Sequence, residues 1–168
     1  MVPELVLVTR SPEATESVGE ALGGALQPGA VVALDGELGA GKTCLVRGLA
    51  RGLGVEEPVS SPSFTLMHEY RGRLVLHHFD GWMAGRELAF LEGGGADALD
   101  GGGVAVIEWA ERVTAYLPAA RLAVRLEHLG PSQRRVRLAL LGPPGSRPDL
   151  ARALAAAARA PGAEVEPA

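Results

Sequence analysis

Lys42 is the only lysine in 168 residues; the other 15 of the 16 basic side chains are arginine. A slim ammonium fits between phosphate oxygens where a planar guanidinium does not, so the two are not interchangeable there. Lys42 lies in Gly36-Glu37-Leu38-Gly39-Ala40-Gly41-Lys42-Thr43, which fits G-x-x-x-x-G-K-[ST], the phosphate-binding P-loop. Its glycines let the backbone curl until successive N–H groups converge on an anion, and a following helix adds its positive dipole end. In that arrangement Leu38, Gly39, Ala40, Gly41, Lys42 and Thr43 cradle a nucleotide's phosphates. Lys42 reaches the outer phosphates, and the Thr43 hydroxyl ligates Mg²⁺.

Two carboxylates could complete such a site. The apolar run Leu74-Val75-Leu76-His77-His78-Phe79 ends in Asp80, and Val104-Ala105-Val106-Ile107 ends in Glu108. An acid at a strand's C-terminal end lies at the ligand edge of an open α/β sheet. One such acid alone is usually a surface residue. Two of them beside a P-loop are a different case, since Mg²⁺ and an attacking water both need carboxylates near the phosphates. Lys42, Asp80 and Glu108 are therefore the candidate catalytic residues, and either acid could orient the water. His77 and His78 must point to opposite strand faces and cannot act as a joint metal pair, so packed or hydrogen-bonded histidines are expected.

Elements of the right kind surround these residues. Ala30-Val31-Val32-Ala33-Leu34-Asp35 reads as a buried strand entering the loop, and Leu45, Leu49 and Leu53 recur with helical spacing after it. Residues 5–8 predict a first strand, and Ser11-Pro12-Glu13 predicts the start of a helix running to about residue 26. Residues 54–63 form a polar loop that is either a nucleotide-sensing switch or a plain connection. Strands are expected at 64–70, 74–80 and 104–109, then a helical turn or two at 110–115. A hairpin at 122–129 and 134–141 follows, with Arg134, Arg135 and Arg137 expected as a solvated cluster from which one could touch the nucleotide. An Ala-rich helix at 148–160 precedes a loose tail from Pro161. The expected fold is a single α/β domain over residues 1–160. It is a P-loop NTPase with a mainly parallel central sheet flanked by helices, then a C-terminal β-hairpin and helix.

Composition bounds the function. A net charge of −4 offers no broad basic surface for direct nucleic-acid binding. One cysteine excludes an internal disulfide and fits a reducing cytosol. No apolar run approaches 18 residues, so no membrane span is expected. The 23 glycines and 12 prolines read as codon bias more than as structure. Guanine recognition in P-loop GTPases uses N-K-x-D, and this sequence contains no asparagine, which favours ATP.

Taken in order, these motifs resemble those of the TsaE (YjeE) family of small bacterial P-loop ATPases, over roughly residues 11–118. The loop is similar to the family's G-[DE]-L-G-A-G-K-T. Val59-Ser60-Ser61-Pro62-Ser63-Phe64-Thr65-Leu66 resembles its V-x-S-P-T-[FY]-T-L switch, His78-Phe79-Asp80 its H-x-D, and Ile107-Glu108-Trp109-Ala110-Glu111 its h-E-W-x-E. The family's D-x-Y-R reads Asp80-Gly81-Trp82-Met83 here, so that arginine's role is either absent or supplied by another residue such as Arg86. The resemblance implies a cytoplasmic, Mg²⁺-dependent ATPase working with TsaB and TsaD. Their product is threonylcarbamoyladenosine (t6A) at position 37 of tRNAs reading ANN codons, with tRNA met indirectly through the complex. It implies Thr43 and Glu108 as Mg²⁺ ligands, Asp80 close to the phosphates or bound water, and nucleotide contact at Pro12. The competing classes are a P-loop small-molecule kinase and a non-catalytic ATP-dependent adaptor. A kinase would need an arginine-bearing lid, whereas Arg134, Arg135 and Arg137 fall in a predicted strand pair.

Overall fold

Ser11 separates the first strand, β1 (Glu4–Thr9), from the first helix, α1 (Pro12–Ala25). Its hydroxyl oxygen accepts from the Ala14 N–H at 3.1 Å, while Pro12 opens the helix and Glu13 meets its positive end. β2 (Val31–Gly36) then enters the P-loop, and α2 (Lys42–Gly52) leaves it. β3 (Met67–Arg71), β4 (Val75–Asp80) and β5 (Val104–Glu108) follow, with 3₁₀ turns at Ala110–Arg112 and Thr114–Tyr116. The hairpin β6 (Arg121–His128) and β7 (Arg134–Leu141) leads to α3 (Pro148–Ala157) and β8 (Ala163–Val165). The computed structural model describes residues 4–37, 39–60, 67–80 and 101–167.

Among the described residues, eight strands join one sheet in the order β3-β4-β5-β2-β6-β7-β1-β8. Only its centre, β4-β5-β2-β6, is parallel; β3, β7, β1 and β8 all pair antiparallel. The sheet is thus mixed, not mainly parallel. The hairpin of β6 and β7 was expected, but apolar periodicity reports which face of a strand is buried and not its partner, so the antiparallel places of β1 and β8 were not visible in the sequence. The expected loose tail also differs. Ala163 to Val165 pair with Thr9 to Leu7, and the Glu166 N–H donates to the Val6 carbonyl at 2.8 Å. An open edge of β1 is what draws the chain back.

Among the described residues, the three helices pack on one sheet face. Val18, Leu22, Leu45, Leu49, Leu150 and Ala153 form one apolar cluster with Val32, Leu34, Leu76, Val104 and Val106. Alternate residues Val31, Ala33, Phe79, Ala105 and Ile107 form a second cluster with Ala110 and Val113 on the opposite face. Because successive strand side chains alternate, Gly36, Asp80 and Glu108 share the helix-bearing face with Leu34, Leu76 and Val106. That parity decides where the two acids lie.

α1 and α2 meet along glycines. A Cβ on Gly19 would lie 2.1 Å from the Leu45 carbonyl oxygen, and one on Gly23 2.2 Å from that of Leu49. In return, a Cβ on Gly48 would be 1.9 Å from the Glu16 oxygen, and one on Gly52 2.3 Å from that of Glu20. Both helices therefore carry Gly-x-x-x-Gly, and the missing side chains let the backbones touch. These glycines are structural, contrary to the codon-bias reading. Their effect is to lay the start of α1 against the P-loop helix, where the Cys44 thiol donates to the Pro12 carbonyl at 3.1 Å.

Candidate active site

The P-loop lies at the C-terminal ends of the parallel strands. Gly39 and Gly41 adopt φ of 78° and 100°, left-handed values that suit glycine. They carry the chain from β2 straight into α2. α2 has no side-chain cap and no acidic residue in its first turn, unlike α1, which has both. Its first N–H groups thus keep their hydrogen-bonding capacity and positive partial charge. An oxyanion fits that end.

Lys42 is buried. Its Nζ donates to the carbonyl oxygens of Gly36 at 2.5 Å and Glu37 at 2.8 Å. Burial pushes its pKa down, while Glu108, Asp35, Asp80 and Glu111 pull it back up. The Trp109 ring closes the other side, 4.1 Å from ring centroid to Nζ. Trp109 has φ 57° and ψ 39° and is the only non-glycine at positive φ among the described residues. Such a backbone costs on the order of 1–3 kcal/mol. A cation–π contact offsets about 0.5–2 of that. The sharp turn at the end of β5 is thus tied to the lysine.

Asp80 and Glu108 are buried register partners on β4 and β5, and Glu108 is also opposite Leu34 of β2. Both lie on the P-loop face by strand parity. Glu108 accepts from the ring of His78, Nε2 to Oε2 at 2.5 Å. Thr43, second residue of α2, is half-buried beside Lys42. Among the described residues, no three His, Cys, Asp or Glu side chains are placed to hold a metal by themselves. Mg²⁺ bridging nucleotide phosphates needs only one or two protein oxygens, so Thr43 with Glu108 fits that chemistry.

Pro12 lines a cavity of about 80 Å³ with Thr15, Gly41, Cys44, Ser132 and Arg134. Arg134 is no solvated arginine. It donates to the carbonyls of Gly39 at 3.1 Å, Gly130 at 2.8 Å and Gln133 at 2.8 Å, tying the hairpin turn to the P-loop. Arg135 and Arg137 instead lie on the opposite face of β7 by strand alternation and pair with Glu127, Glu166 and Glu4. The contacts of Arg134 and the ring of Trp109 were missed from the sequence; neither residue type announces a partner so distant along the chain. Leu38, the segment 61–66 and residues 81–100, including Arg86, lie outside the described residues.

A family model described as "Threonylcarbamoyl adenosine biosynthesis protein TsaE" matches residues 9–136. The chain belongs to the TsaE family. The TsaE protein of Treponema pallidum is 42% identical over 132 residues, covering 79% of this chain and 98% of that protein. The TsaE protein of Bacillus subtilis is 36% identical over 135 residues, covering 80% and 84%. Both relatives are named for tRNA threonylcarbamoyladenosine biosynthesis. The crystal structure of Bacillus subtilis YdiB superposes with a TM-score of 0.76 at 32% identity, covering 92% of this chain and 96% of that one. Among the described residues, no helix of this TsaE-family chain is long and apolar enough to cross a membrane.

Asp35 is a third acid on this edge that sequence patterning did not single out. Its Oδ1 accepts from the Glu111 N–H at 3.0 Å. Burial raises its pKa above the ordinary 3.8; the Glu111 N–H bond opposes the rise, the Glu111 carboxylate adds to it, and Arg125 and Lys42 oppose it. A raised folded-state pKa means the folded protein binds this proton more tightly than the unfolded chain. The associated stability is present below the ordinary value and lost as pH rises through the raised one. Asp35→Asn keeps an acceptor for Glu111 and removes the charge. It is expected to raise the thermal midpoint at pH 7, with the gain shrinking towards pH 4; a constant gain would sink this account.

Proposed function

We propose that this chain is a Mg²⁺-dependent ATP hydrolase acting with TsaB and TsaD to form threonylcarbamoyladenosine at position 37 of tRNAs reading ANN codons. One observation carries the reading: Asp80 and Glu108 are buried as neighbours on the P-loop face, and their charges act on Lys42. Catalysis would be positioning plus electrostatics. The uncapped amides of α2 and Lys42 would bind the phosphates, with Pro12 at the side of the nucleotide. Thr43 and Glu108 would hold Mg²⁺, which neutralises charge on the phosphoryl oxygens when bound. Asp80 or Glu108 would orient the water. The strand-end acids favour hydrolysis over a non-catalytic adaptor, since simple binding does not require them.

Membership of the TsaE family supports the t6A role, and the acidic net charge of −4 favours a protein partner over direct tRNA contact. The protein would work in the cytoplasm beside its partners. Isolated, it would hydrolyse ATP slowly. The test is affinity capture of the chain co-expressed with TsaB and TsaD, with ATP and ADP compared. Association in ATP and weaker association in ADP are expected; no association in either state overturns the reading.

A further inference from the structure

His78 is wholly buried, at 0% exposure, on the same face of β4 as Leu76 and Asp80. An apolar residue would fill that position with no ring nitrogen to satisfy, but would take a donor from the buried Glu108 carboxylate. The histidine's Nδ1 is buried without a hydrogen-bond partner, which folding tolerates only where the ring brings something in return. What the ring does is reach from β4, where it is opposite Val106, to Glu108 two residues further along β5. The bond is Nε2 to Oε2 at 2.5 Å, inside a core formed by Leu76, Val104 and Val106.

We infer that His78 is a positioning residue, which fixes the Glu108 carboxylate for a Mg²⁺-bearing nucleotide by donating Nε2–H to Oε2. A glutamate at the end of a strand has several rotamers. One strong hydrogen bond from a buried ring removes most of them and commits one oxygen, leaving the other for a ligand. Groups that hold a ligating carboxylate in this way typically change metal affinity by 10–100-fold when removed. Because Nδ1 has no acceptor nearby, the single ring proton belongs on Nε2, where it meets the carboxylate. This inference rests on the reading of Glu108 as a Mg²⁺ ligand.

Two measurements test it. In the unmutated protein, nitrogen–proton correlation spectra of the His78 ring are expected to show a proton on Nε2 and a bare Nδ1; the opposite tautomer overturns the inference. In the second, Mg²⁺ is titrated into protein with a fluorescent ATP analogue, against nucleotide affinity in EDTA. His78→Leu is expected to weaken Mg²⁺ binding by about 10–100-fold. Its EDTA affinity should stay within about twofold of the parent, and His78→Gln, whose amide replaces Nε2–H, should recover most of the loss. Equal losses in Leu and Gln would mark a packing role and overturn the inference. Glu108→Gln separates the two levels. If it weakens Mg²⁺ binding and His78→Leu does not, His78 has no such role; if neither does, Glu108 is no ligand.

Discussion

Lys42→Ala is expected to reduce ATP hydrolysis by about 10²–10³-fold and to weaken nucleotide binding. Lys42 is held by two loop carbonyls and an aromatic face, at the head of a helix whose first amides have no cap. Bound phosphate offers the ammonium stronger, charged acceptors than those carbonyls. No other lysine can take over, since the sequence has none. Lys42→Arg is expected to fail nearly as badly. The space between the Gly36 carbonyl and the Trp109 ring suits a point charge, and a planar fork would have to displace one or the other. Single-turnover hydrolysis and fluorescent-nucleotide affinity are the readouts. A parental rate in Lys42→Ala would remove the lysine from the mechanism, and one in Lys42→Arg would overturn the requirement for a point charge.

Gly48→Ala is expected to destabilise the fold by about 3 kcal/mol, the upper end of ordinary overpacking. The new methyl would sit 1.9 Å from the Glu16 carbonyl oxygen and 2.7 Å from its carbon, so backbone must move. No flexible side chain can yield instead. For a domain of this size the thermal midpoint should fall by about 6–12 °C. Gly24→Ala in α1 is the control, because a Cβ there meets nothing within 4 Å. It should stabilise by about 0.5–1 kcal/mol through better helix propensity. Thermal unfolding of both variants decides the matter; equal effects would mean that the glycine seam carries no close contact. Spreading α1 from α2 also shifts Pro12 away from Cys44, so the Gly48 variant should lose nucleotide affinity as well.

Much of this molecule was legible in its sequence because the informative signals are local. Ser11, Pro12 and Glu13 start α1 as their types require, and the lengths of α2, β4 and β5 follow their apolar patterns. The positions of Asp80 and Glu108 at the ends of their strands could be expected from the same patterns, whereas the pairing of those two strands could not. What could not be read was pairing between distant segments. The place of β1 beside β7, the return of residues 163–165 to β1, and the reach of Arg134 to Gly39 are set by topology. The glycine seam is intermediate. Its four-residue spacing was present in both helices, hidden by a composition rich in glycine everywhere.

The place of β1 between β7 and β8 bears on how the chain is made. Its hydrogen-bonding partners on β7 lie from 125 residues further on, for Thr9, to 135, for Glu4. At ribosomal rates of about 5–20 residues per second, β1 waits about 6–25 s for them. Meanwhile β2, β4, β5 and β6 can emerge and pair in parallel, carrying the phosphate loop and both acids. Arg134 arrives with β7, and the strand that anchors α1 is secured only then. A nascent chain therefore holds the chemistry of this site before it holds its frame, and β1 is the strand most in need of shelter until β7 has emerged.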